Sequence, residues 1–99
     1  MKVHVETVQF KADQKLLEFI DRKIAKLDTF FDRIIEVEVI LKLENSGQVR
    51  DKVVEVKVHV PGDILFVSET DKAFEAAVEL AVDSLKRQLK RHKEKIRSY

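Results

Sequence analysis

Cysteine and tryptophan are absent from this chain of 99 residues, proline occurs once and glycine twice. Without cysteine there is no disulfide framework, no thiolate zinc site and no cysteine nucleophile, and folding does not depend on an oxidising compartment. Long hydrophobic runs are missing too. None approaches the ~20 residues of a membrane helix, and the opening Met1-Lys2-Val3-His4-Val5-Glu6 lacks the apolar stretch of a secretory signal. The expected location is the cytoplasm, with no membrane partner. With so few backbone breakers, and no linker, internal repeat or low-complexity tract, residues 1–99 are expected to form one domain around a single core.

Catalytic signatures are also lacking. There is no glycine-rich phosphate loop, nucleophile elbow or metal-binding helix motif. The 18 carboxylates guarantee chance pairs such as Asp28 and Asp32, which helix-end charge and lysine pairing explain without acid–base chemistry. No enzyme activity, cofactor or small-molecule substrate is expected. His4, His59 and His92 are the only imidazoles. His4 and His59 would share the open face of a sheet, two strands apart at roughly 9–10 Å, too far for one zinc, so they read as solvated and no metal site is expected. His92 falls towards the apolar side of its helix, where it can pack or stack on a base.

What the chain does have is 44% hydrophobic and 37% charged residues, enough apolar material to fold. Val3 and Val5 alternate with Lys2, His4 and Glu6, predicting a strand over 2–8. Asp13 can cap a helix whose Leu16, Leu17, Ile20, Ile24, Leu27 and Phe31 form one apolar stripe. On one flank of it lie Lys15, Arg22, Lys23 and Lys26, with Phe19 and Phe30 nearby; on the other lie Glu18, Asp21 and Asp28. Ile35, Val37, Val39, Leu41 and Leu43 alternate with polar residues, and Val54, Val56, Val58 and Val60 do the same beyond a turn in Asn45-Ser46-Gly47-Gln48, which predicts a hairpin. Pro61-Gly62 suits the centre of a type II turn before a fourth strand, Ile64 to Ser68. A last helix is expected from Asp71, capped by Ser68 or Thr70, with Phe74, Ala77, Val78, Ala81, Val82, Leu85 and Leu89 inward and a basic end projecting past the sheet.

The order β-α-β-β-β-α with clean alternation predicts an α+β two-layer sandwich, two helices packed on one face of a four-stranded sheet. Charge is distributed unevenly along it. The net charge is +1, yet residues 86–99 hold seven cations and one acid, while residues 1–85 are net acidic. Cations gathered at one helix end are the footprint of a surface that meets phosphate, although they also complement the negative end of the helix dipole.

Two segments carry a resemblance. Lys23-Ile24-Ala25-Lys26-Leu27-Asp28-Thr29-Phe30-Phe31-Asp32-Arg33-Ile34 resembles the K-x-x-K-L-x-x-aromatic-F-D-R-I segment of the ribosome hibernation-promoting factor family. Asp83-Ser84-Leu85-Lys86-Arg87-Gln88-Leu89-Lys90-Arg91-His92-Lys93-Glu94-Lys95-Ile96 resembles that family's D-K-L-x-R-Q-[LI]-x-K-H-K-x-K-[LI] end, with Arg91 in place of the usual lysine. The resemblance implies a single ribosome-binding domain that occupies the mRNA/tRNA channel of the small ribosomal subunit and holds the ribosome inactive under stress or in stationary phase. The partners it implies are the small subunit and its rRNA, and the chain, which stops at Tyr99, resembles the short form linked to pairing of idle ribosomes. Off the ribosome it is expected to be monomeric. Lys23, Lys26, Arg87, Arg91, Lys93 and Lys95 match the motif, and Arg22, Lys86 and Lys90 extend it, giving nine candidate RNA-binding residues. Two rival readings are a basic helix docking on an acidic protein and a generic double-stranded-RNA binder, whose layout is similar.

Overall fold

The structure, a computed structural model, describes residues 1–46 and 49–97. Strand β1 (Lys2–Val8) leads to helix α1 (Gln14–Ala25), and strands β2 (Glu36–Ser46), β3 (Val49–Val60) and β4 (Asp63–Asp71) then precede helix α2 (Phe74–Arg97). The sheet keeps sequence order, β1-β2-β3-β4. β1 runs parallel to β2, with Val3 opposite Val37, and the remaining pairs are antiparallel, with Val39 opposite Val56 and Val56 opposite Val67. The expected two-layer α+β sandwich is what forms.

Alternation decides which face is covered. Val37, Val39 and Leu41 of β2 and Val54, Val56 and Val58 of β3 are buried, as are Ile20 and Ile24 of α1 and Ala77, Val78, Ala81, Leu85 and Leu89 of α2. Among the described residues no polar or charged side chain is buried. Apolar surface removed from water therefore carries this core, at about 25 cal/mol per Å². The other sheet face stays open and presents the partners of these valines, among them His4, Glu38, Lys57 and Phe66 along one cross-strand row.

Local chemistry sets the boundaries. Asp13 caps α1 from an extended backbone, its Oδ1 accepting the Leu16 N–H at 2.8 Å. The α-helix ends at Ala25, and Lys26–Thr29 tighten into a 3-10 turn that still buries Leu27. Gln9 takes a positive φ of 63°, which turns the chain after β1, and the next ring, Phe10, stacks on Phe74 at 5.0 Å and 11°. Gly62 has φ 81°, the left-handed value that the second central position of a type II turn requires.

Several boundaries differ from the expectation. β4 continues to Asp71, so Ser68 and Thr70 lie within the strand and neither caps α2. The helix starts at Phe74, the Ala77 N–H reaching back to the Ala73 carbonyl at 3.1 Å, while Asp71 Oδ1 accepts from the Lys72 N–H. Ladder pairing with β3, Lys52 opposite Asp71, outweighs the weak capping preference of a hydroxyl. Ile35 lies one position ahead of β2 and is 57% exposed; Ile34 fills the core place instead. Gly47 and Gln48 of the predicted turn lie outside the described residues, between Ser46 and Val49, which pair.

Candidate nucleic-acid interface

Two amphipathic helices on one sheet must meet along a flank, and here the basic flank of α1 meets α2. The Lys23 ammonium lies 3.1 Å from Glu79 Oε1 and ties the two helices together. Beside it, Lys26 and Lys86 line a cleft of about 270 Å³ together with Phe30, Val82 and Asp83. Lys86 and Lys90 hold their ammoniums over the Phe30 ring, 5.0 and 5.9 Å from its centroid. On α1, the Arg22 guanidinium and Lys23 ammonium both lie 5.5 Å from the Phe19 centroid.

Further along, Lys93 and Arg33 line a recess of about 410 Å³ with Asp28, Asp32, Phe31 and Ile96. The end of α2 is therefore flanked by the connection from α1 to β2 rather than projecting free, because His92 sets its ring edge-on against Phe31 at 5.3 Å and 82°. His92 packs; its Nε2 is buried with no hydrogen-bond partner. Lys23, Lys26, Lys86 and Lys90 thus meet along the seam between α1 and α2, with Arg22 beside Lys23 at the Phe19 ring and Lys93 against the connection that follows α1.

Arg87, Arg91 and Lys95 do not join them. Successive i, i+4 positions put them on the opposite flank of α2, where Arg91 and Lys95 border a shallow recess with Asp63, Leu65 and Gln88 next to β4. Gln88 donates to the Phe66 carbonyl at 3.1 Å and anchors this flank to the strand. The cationic surface straddles α2.

The nine candidates chosen from sequence do not include Arg33, and they leave Phe19 and Phe30, placed beside the basic flank, without their cation contacts. Arg33 was visible within the F-D-R-I run. The aromatic roles had a signal as well, since Phe19 precedes Arg22 and Lys23 by three and four residues, the spacing at which helical side chains meet. Phe30's partners come from a distant helix, and no local spacing announces them.

The open sheet face has a different electrostatic character. His4 Nε2 meets Glu36 Oε1 at 2.7 Å, and His59 Nε2 meets Glu38 Oε2 at 2.7 Å, so these imidazoles are paired rather than merely solvated. The His59 hydrogen bond holds the Glu38 carboxyl below its usual 4.5 against the opposing effect of desolvation, with lesser help from the charges of His59, Lys57 and His4. Among the described residues no group of three or more histidines and carboxylates has the arrangement to hold a metal, and no helix is long and apolar enough to cross a membrane.

Fold and surface together define a class: small α+β domains that set two helices on a four-stranded sheet and collect positive charge on the helix layer. The profile of the family described as Sigma 54 modulation protein / S30EA ribosomal protein matches residues 3–97. The chain is similar to the ribosome hibernation promoting factor of Salmonella typhimurium, with 32% identity over 100% of both chains. It is 33% identical to the ribosome hibernation promoting factor of Pseudomonas putida over 99% of this chain and 92% of that one. The Thermus thermophilus Protein Y N-terminal domain shares the fold with a TM-score of 0.80 and 28% identity, covering 93% of this chain and 99% of that one. The chain belongs to the Sigma 54 modulation protein / S30EA ribosomal protein family, and the resemblance carried by Lys23–Ile34 and Asp83–Ile96 is borne out by these relatives.

Proposed function

We propose that this protein is a cytoplasmic ribosome hibernation factor, a single domain that binds the small ribosomal subunit in the channel for messenger and transfer RNA and so inhibits translation. The names of its relatives and its cationic helix layer support this reading. The observation that carries it is the meeting of the basic flank of α1 with α2, marked by the Lys23–Glu79 contact and by Lys26 and Lys86 in one cleft, which brings two sets of cations onto one surface. Folded RNA is met through shape and phosphate more than through base edges, and rigid helices bearing lysine and arginine meet several phosphates at once. Occupying a site that another RNA must use inhibits by exclusion and requires no catalytic group. Promotion of pairing between inactive ribosomes belongs to the same proposal.

Co-sedimentation with separated small and large subunits, at low and moderate salt, tests this directly. Pelleting with the small subunit alone, competed by transfer RNA, is the expected outcome. Equal pelleting with both subunits that is lost at modest salt would reduce the interaction to nonspecific polyanion attraction.

A further inference from the structure

Lysines on a helix surface are flexible, and two of them at i, i+4 repel each other. Lys86 and Lys90 nevertheless converge on one ring, Phe30, at 5.0 and 5.9 Å. Phe30 is half-buried, packed against the core from the connection that follows α1, so the ring is a fixed platform. Its electron-rich face attracts an ammonium without carrying charge. That distinguishes it from a carboxylate. Glu79 holds Lys23 by opposing its charge, and an arriving phosphate must compete with it; Phe30 holds Lys86 and Lys90 without itself opposing their charge, although Asp83 lines the same cleft as Lys86.

We propose that Phe30 is a positioning residue of the RNA contact, seating the ammoniums of Lys86 and Lys90 side by side so that both meet phosphate without first being ordered. The inference rests on the RNA-binding reading above. Preorganised cations bind more tightly because less side-chain freedom is lost on association. The number of phosphates neutralised does not change.

Three readouts test it. In the free protein, the ε-methylene protons of Lys86 and Lys90 should be shifted upfield by the ring current, moving towards ordinary lysine positions in Phe30→Leu and remaining shifted in Phe30→Tyr. Small-subunit affinity should fall roughly five- to thirtyfold in Phe30→Leu at every salt concentration, with an unchanged salt slope, and should stay near wild type in Phe30→Tyr. In a Lys86→Met, Lys90→Met background, Phe30→Leu should cost no further affinity, whereas a purely structural role would cost the same in both backgrounds. Wild-type binding that Phe30→Leu leaves unchanged, or equal costs in the two backgrounds, overturns the positioning role alone. Failure of the wild type to bind the small subunit overturns the functional reading and this role with it.

Discussion

Lys23 has both an aromatic neighbour and a carboxylate partner, and the second works against the first. Glu79 is 56% exposed, so its bridge contributes little to stability, but it sets a negative charge inside a cationic cleft. Glu79→Gln is expected to tighten small-subunit binding about two- to fivefold while leaving the melting temperature nearly unchanged, as read by subunit titration and thermal unfolding. At the opposite face, Glu38 titrates below its unfolded value because His59 hydrogen-bonds its ionised form. A carboxyl with a depressed folded-state pKa stabilises the protein above its unfolded pKa, near 4.5, and that contribution disappears as pH falls through the lower folded value. Glu38→Gln should therefore lower the melting temperature at pH 7 and converge with wild type in strong acid. A difference that persists in acid would assign the effect to packing.

At the scale of the element, α2 combines roles that the other elements keep separate. One stripe is core, through Leu85 and Leu89, and its two flanks carry different cations. Arg87 and Arg91 are exposed and, among the described residues, make no ion pair, so reversing both leaves the core stripe intact. Arg87→Glu with Arg91→Glu is expected to abolish small-subunit binding with a change in unfolding free energy of about 1 kcal/mol or less. Survival of binding would confine the contact to the α1-facing flank. The elements themselves were legible because alternation in β2 and β3 and the stripes of α1 and α2 are strong periodic signals. Boundaries were less so: Thr70 satisfies both a strand and a cap, and only pairing with Val53 across the sheet decides between them. Which flank of α1 meets α2 was not legible at all, since the Lys23–Glu79 contact joins residues 56 positions apart.

For the whole molecule, a charge of +1 says almost nothing about behaviour, because the charge is sorted by layer. If about six phosphates are neutralised, log affinity should fall against log salt with a slope of roughly −4 to −5. A slope near −1 in a subunit titration would favour an acidic protein partner over RNA. The candidate cations were visible in the sequence as a run, while their division between two flanks of one helix appears only once the helix is seated on the sheet.

The open sheet face has a further consequence. Glu36, Glu38 and Glu55 lie there, paired with His4, His59 and Lys42, on the side of the sheet away from the cationic helices. In the field of a polyanion such a molecule feels a torque as well as a pull, turning helix side first as it comes within the ~10 Å over which charge acts at 0.1 M salt. The face then left outward holds cations already paired to carboxylates and offers the next polyanion little to bind. On the reading proposed above, each copy offers one phosphate-binding side, and joining two targets takes a second contact as well.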